Sequence, residues 1–214
     1  MYESCYERMF ENCINIKSVD INNFKSDTIG FANSCWAYMF RNCINLMAIP
    51  ANIVPQTSEA ADSCCRSMFE NCKSLGNACI INCNRLKKSC YEAMYKGCTS
   101  LSSVSPNLLP AMMLDDYCYA HMFRGCINLE NMPELPAISM KKYCYANMFF
   151  GCEKLIAHTI ENSNGDNTSK IKEIKAYNLN DYCFYGMFYG CTALSNSPKF
   201  VDEKIIEAQG LGTK

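Results

Sequence analysis

CYAHMFRGCINL, residues 118–129, is the stretch on which the fold reading turns. Its parts return along the chain as CYERMFENC from Cys5, CWAYMFRNC from Cys35, CCRSMFENC from Cys64 and CYEAMYKGC from Cys90. They return again as CYANMFFGC from Cys144 and CFYGMFYGC from Cys183. Each copy ends on a second cysteine: Cys13, Cys43, Cys72, Cys98, Cys126, Cys152 and Cys191. Three residues past it stands Ile16, Leu46, Leu75, Leu101, Leu129, Leu155 or Leu194. Three further on come Val19, Ile49, Ala78, Val104 and Met132, weakening to His158 and Ser197, with Pro50, Pro133 and Pro198 following in three copies. Recurrence at fixed internal spacing is the signature of a repeat array.

Each copy reads as a short helix feeding a short strand. Cys118, Tyr119, Met122, Phe123 and Cys126 fall within about 140° of a helix circumference, one apolar face. The residue before the second cysteine is always Asn or Gly, from Asn12 to Gly190, the types that tolerate the left-handed conformation closing a helix. Leu129 and Met132 would then be buried by a strand that Pro133 keeps short. A unit of this size cannot bury its own apolar face, so the copies must stack on a shared core.

The string C-Y-x-x-M-F-x-G-C-x-x-L, followed by PELPA at 133–137, resembles the BspA-type leucine-rich repeat over about residues 4–200. The resemblance implies an α/β, right-handed leucine-rich-repeat solenoid of about seven repeats. A short parallel β-sheet would lie on one side and short helices on the other. It also implies adhesion and protein binding rather than catalysis, in a bacterial, protist or phage surface protein. The chain reads as one domain, 1–214, with repeats starting near 5, 35, 64, 90, 118, 144 and 183. Repeat three departs from the pattern, with Cys65 in the aromatic position and NACIINCNRLKKS, 77–89, lacking the proline pattern. Repeat six carries an insertion at 157–176, whose polar NSNGDNTS centre, holding the sequon Asn167-Thr168-Ser169, reads as an exposed loop.

The 17 cysteines among 214 residues admit several readings. Zinc is disfavoured: there is no C-x-x-C, and the histidines are only His121 and His158. On a helix the paired cysteines would be about 12 Å apart by rise, beyond the reach of a disulfide. Bridges between neighbouring repeats remain open, with Cys65, Cys79 and Cys83 the best placed. The favoured reading is a small, soft residue filling a buried layer. Cys118 and His121 could in principle pair as nucleophile and base, but Cys118 belongs to the buried stripe and only one repeat has the histidine. No phosphate-binding glycine loop or paired-carboxylate constellation is present. No enzyme activity, cofactor or metal is expected.

With 20 basic and 21 acidic side chains, the electrostatic case for nucleic acid or a polybasic membrane surface is absent. No run approaches the roughly 18 apolar residues of a spanning helix, and MYESCYERMF is too charged for a signal peptide. Membrane insertion is not expected.

Variable positions describe the surfaces. The residues two, three and six after the first cysteine should face solvent: Glu7, Arg8 and Glu11 in repeat one, Ala37, Tyr38 and Arg41 in repeat two, Arg66, Ser67 and Glu70 in repeat three. Later repeats turn aromatic there, with Phe150, Tyr185 and Tyr189. Those three form the candidate binding patch, or else pad the array against its own C-terminal tail. The strand side, with Ser18, Ser102, Asn128, Asn131 and Asn196, is a polar face that could hydrogen-bond a protein or glycan, or simply be solvated. The expected partner is a host or cell-surface protein or a neighbouring assembly subunit, with a glycan as the further option. The expected location is the cell surface, with a phage virion component as the alternative and a thiol- or metal-binding protein a distant third. EAQGLGTK ends inside an incomplete unit, 200–214, and no cap precedes Cys5, so a fragment of a longer array is expected.

Overall fold

The computed structural model describes residues 2–20, 30–156, 173–174, 179–196 and 198–200. The expected helices are absent: among the described residues there is no α-helix. The segments between the paired cysteines are ribbons of overlapping tight turns, and the α/β leucine-rich-repeat solenoid with short helices is overturned. The reason lies in the backbone. In repeat one, Ser4, Arg8 and Asn12 have φ of 51°, 57° and 63°. The same three positions are left-handed in all seven copies, and every positive-φ residue of the described chain is one of them. A left-handed residue at every fourth position ends a right-handed helix before it completes a turn.

Hydrogen bonds show what replaces the helix. Within a ribbon, alternate amides close turns three residues back: Glu7 donates to Ser4, Met9 to Tyr6, Glu11 to Arg8 and Cys13 to Phe10. The intervening amides leave the repeat. Ser4, Tyr6, Arg8, Phe10 and Asn12 donate to the carbonyls of Asn33, Cys35, Ala37, Met39 and Arg41 in the next ribbon, at 2.8–3.0 Å. Five such rungs join each neighbouring pair of ribbons through to repeat seven. Successive peptide units therefore serve the turn and the stack by strict alternation, which satisfies buried amides without any helix. A left-handed non-glycine residue costs about 1–2 kcal/mol, and at each of these positions in repeats one to six the residue's own amide makes a lateral bond.

The ribbon points side chains inward and outward in pairs. The first cysteine and the residue after it face in, the next two lie on the outer side, and the pattern repeats every four. Ala37 and Ser67, expected in solvent, are nonetheless buried, as are Ala120 and Ala146, because longer side chains close around these small ones. Stacking turns each position into a column. The column five residues after the first cysteine is unbroken, with Phe10, Phe40, Phe69, Tyr95, Phe123, Phe149 and Phe188 at ring separations of 5.4–5.8 Å. The column just after the first cysteine runs Tyr6–Trp36 and then Tyr91–Tyr119–Tyr145–Phe184, interrupted at Cys65. Behind them the methionines Met39, Met68, Met94, Met122, Met148 and Met187 are buried.

All 17 cysteines are free thiols, so Cys65, Cys79 and Cys83 form no bridges. The second-cysteine column has a uniform task. Cys43, Cys72, Cys98, Cys126, Cys152 and Cys191 donate through Sγ to the carbonyls of Phe10, Phe40, Phe69, Tyr95, Phe123 and Phe149 of the preceding repeat, each at 3.1 Å. Those carbonyls already accept a turn amide, so the thiol fills their second lone pair. A buried residue here must be small and carry a donor, which cysteine is.

After the second cysteine the chain crosses to the opposite wall, where Leu46, Leu75, Leu101, Leu129 and Leu155 are buried. Strand pairing there is sparse. β1, Met113–Leu114, pairs in parallel with β2, Ser139–Met140, and β3, Glu173–Ile174, pairs in parallel with β4, Lys199–Phe200. Single parallel bridges link Ser18 to Ala48, Glu59 to Arg85 and Arg85 to Met113. Asparagine takes the place of strand elsewhere. Asn77 donates to the carbonyl of Ile49 and accepts from its amide, and Asn131 does the same to Val104, at 2.8 and 3.1 Å. Most of the expected insertion at 157–176, His158, the sequon and residues 201–214 of the incomplete final unit lie outside the described residues.

Candidate functional site

The outward-facing pairs form one face of the stack, and its columns obey a rule of complementarity. Six residues after the first cysteine stand Glu11, Arg41, Glu70, Lys96, Arg124, Phe150 and Tyr189. The Arg41 guanidinium pairs with Glu11, whose side chain also accepts from Arg8 at 2.8 Å. Lys96 donates to Glu70 at 2.8 Å, and in the column two residues after the first cysteine Arg66 donates to Glu92 at 3.2 Å. Burial opposes ionisation of Glu11, yet the hydrogen bonds and charges of Arg8 and Arg41 outweigh it and hold its carboxyl below the usual range.

Further along, the column changes chemistry. The Arg124 guanidinium lies 4.4 Å from the centroid of the Phe150 ring, whose other neighbour, Tyr189, stacks at 4.9 Å. Of the three residues expected to form the patch, the structure therefore joins Phe150 and Tyr189 in one column. Tyr185 stands in another and meets Tyr182 edge-on at 6.1 Å. Tyr182 ends a third column, Tyr117–Tyr143–Tyr182, stacked at 4.9 and 5.0 Å. Tyr182, Tyr185 and Tyr189 are 48%, 52% and 65% exposed. The C-terminal tail that could have covered them lies outside the described residues.

Tyr117, Tyr143 and Tyr182 were missed because the residue before the first cysteine was not counted as a surface position. A signal for them exists: Ser4, Ser34, Ser63 and Ser89 occupy that position in the first four repeats, and tyrosine replaces serine from repeat five onward.

His121 lines the outer face while Cys118 points inward and donates to the Lys87 carbonyl at 3.3 Å, so the two do not form a dyad. Burial, then the charges of Arg124 and Lys96, lower the His121 pKa, and its Nδ1 is buried without a hydrogen-bond partner among the described residues. Thiol chemistry is suppressed at six of the cysteines, whereas the hydrogen bond with Cys144 lowers the Cys183 pKa. Burial pushes Cys35, Cys72, Cys79 and Cys126 up to about 12, and Cys43 and Cys191 to about 11. A thiol that high holds almost no thiolate at neutral pH and is a poor nucleophile or ligand. Among the described residues no group of three or more His, Cys, Asp or Glu side chains is placed to hold a metal. The described residues hold no helix long and apolar enough to cross a membrane.

The polar wall opposite offers less than expected. Asn128 donates to the Thr99 carbonyl at 2.8 Å and Asn131 is doubly bonded to Val104, so both are spent on stacking. Comparisons of the chain with protein-family models, with curated proteins and with solved structures each returned no match.

Proposed function

We propose that the chain is a non-enzymatic protein-binding module of an adhesive surface protein, and that it engages its partner through the outer face of repeats five to seven. The observation that carries this reading is the cluster of exposed rings, Tyr182, Tyr185 and Tyr189, set beside the stacked pair Arg124–Phe150. Tyrosine and arginine supply large contact area at low entropic cost and dominate binding hot spots. Here the stacked columns hold the rings in place before any partner arrives, which lowers the ordering cost of association. The likeness of the repeat to BspA-type surface proteins points the same way.

The experiment is surface-plasmon-resonance binding of the full chain and a Tyr185→Ser/Tyr189→Ser variant to a panel of purified extracellular-matrix and host-surface proteins. At least one panel member should bind the parent and lose tenfold or more in affinity with the variant, while melting temperature is unchanged. A binder indifferent to both substitutions would remove this face from consideration.

A further inference from the structure

We propose that a groove on the same face seats an acidic side chain of the protein partner, its carboxylate received by Arg124 and Lys96. The groove arises in the column three residues after the first cysteine. There Tyr38 and His121 stand at the two ends, and between them Ser67 and Ala93, both buried, leave a floor with no side chain above it. The resulting depression holds about 460 Å³, within the range of small-ligand and side-chain pockets.

Its rim is electrostatically lopsided. Arg41, Arg66, Lys96 and Arg124 face Glu70 and Glu92. Both carboxylates are already engaged, Glu92 by Arg66 and Glu70 by Lys96, and Arg41 is held by Glu11 outside the groove. Arg124 has no carboxylate partner among the described residues. Its guanidinium carbon lies 4.4 Å from the Phe150 centroid and its side chain makes no hydrogen bond among the described residues, so its N–H donors are open to a carboxylate, which an arginine fork can receive bidentately. Lys96 lies one repeat away in the same column, where it would share its ammonium between Glu70 and the incoming carboxylate. An anionic group therefore completes the rim at Arg124, whereas a cationic one would meet its uncompensated charge.

Two observations favour a peptide carboxylate over an anionic glycan. Phe150 has one face on Arg124 and the other on Tyr189, and Tyr143 lies between Tyr117 and Tyr182. Next to the groove, the rings of Phe150 and Tyr143 thus offer a saccharide no open face, the uncovered faces being confined to Tyr182, Tyr185 and Tyr189 at the repeat-seven end. The Arg124 end also runs directly into the aromatic cluster, so an acidic residue in the groove would place its apolar neighbours on the shelf. The inference rests on the reading of this outer face as the protein-binding surface.

The test is selection of a random phage-displayed dodecapeptide library on the full chain, with affinities of the selected peptides then measured on variants. The expected result is enrichment of Asp and Glu, affinity at least fivefold weaker on Arg124→Gln, and loss on Ser67→Tyr with the melting temperature retained. Tyr38 adopts the same left-handed backbone one repeat earlier, φ 58° against 51° at Ser67, so a tyrosine fits there and fills the groove. Replacing the enriched acid by its amide should weaken binding to the same extent as Arg124→Gln. Peptides without acid enrichment, or indifferent to Arg124→Gln, would overturn the groove while leaving the aromatic face standing if Tyr185→Ser/Tyr189→Ser still weakens them. Acid-dependent peptides indifferent to those tyrosines would do the reverse. A hyaluronate oligosaccharide binding Ser67 and Arg124 more tightly than any selected peptide, or failure to select any peptide, also overturns the proposal.

Discussion

The inner and outer walls of the turn ribbon share one backbone and stack by opposite rules. Inside, most columns repeat one kind of residue: aromatic ring on aromatic ring at 5.4–5.8 Å, cysteine above cysteine, methionine above methionine. Outside, charges are set in opposite pairs, Glu11 beneath Arg41 and Glu70 beneath Lys96, until like-charged Arg124 follows Lys96. Dispersion and ring stacking are satisfied by like on like, whereas a charge repeated at this spacing repels itself. The inner wall can be copied without change. The outer wall must be composed pair by pair, and so it is where individuality accumulates.

The contrast can be broken most forcefully from inside. Phe123→Ala removes a ring held between Tyr95 and Phe149 and should cost about 3–5 kcal/mol in urea unfolding. A loss under about 1 kcal/mol would mean that the column is not a packing unit. A finer inner comparison uses two phenols. Tyr95 Oη meets the Cys79 amide at 2.9 Å and its Sγ at 3.0 Å, while Tyr119 Oη is buried without a partner among the described residues. Tyr95→Phe should therefore destabilise by about 1–3 kcal/mol and Tyr119→Phe by close to nothing or less than nothing; equal effects in thermal melts would refute the distinction.

Backbone conformation comes next. Gly125 has φ 74°, and Asn12, Asn42 and Asn71 hold its position in the first three repeats. Gly125→Val should cost about 1–2 kcal/mol more than Gly125→Asn, since β-branched residues tolerate the left-handed region worst. Both would be compared by chemical denaturation.

The outer rule yields smaller numbers. Lys96→Glu sets two carboxylates together and should lose about 0.2–1 kcal/mol, with Glu70→Lys/Lys96→Glu recovering it in a double-mutant cycle. No recovery would show that sign alternation contributes nothing.

Acid titration should give the most gradual effect. Glu11 and Asp115 are held below their ordinary pKa. Burial opposes ionisation in both, and it is outweighed by Arg8 and Arg41 for Glu11 and by the Asp116 amide and Lys141 for Asp115. A depressed carboxylate adds stability above its unfolded pKa, about 4–4.5, and loses it as pH falls through the folded value. His121, lowered chiefly by burial, is neutral when folded, so stability also declines once pH drops below about 6.5, where the unfolded histidine takes up a proton first. The melting temperature should slip slightly below that point and steeply below pH 4.5, and Glu11→Gln should flatten the lower limb.

Much of this was legible in the residues. The register of the copies, the burial of both cysteine columns from repeat two onward and the exposure of Tyr185 and Tyr189 follow from spacing alone. The helix did not, because apolar pairs recurring every four residues satisfy an amphipathic helix nearly as well as a ribbon turning every four. The residues that decide between them carry no mark: Ser4, Tyr38, Ala93 and Tyr117 are left-handed, and none is of a type that requires it. Arg124 escaped notice, and His121 was read only against Cys118, for a different reason. Each looks like an ordinary surface residue along its own repeat, and its meaning emerges only down the column, against Lys96 and Phe150.

The lateral amides also give the molecule a direction. Tyr6 donates to the Cys35 carbonyl, Trp36 to Cys64, Cys65 to Cys90, Tyr91 to Cys118, Tyr119 to Cys144 and Tyr145 to Cys183, all one way. Each link is a peptide dipole of about 3.5 D laid head to tail, as along a helix axis. Five such chains run side by side, with their positive pole at repeat seven and their negative pole at repeat one. On the far wall Met47 donates to Lys17, Gly76 to Met47 and Ile156 to Glu130, in the reverse sense. The stack is therefore polarised across its width as well as along its length. A charged partner meets opposite fields on its two walls before it touches a single side chain.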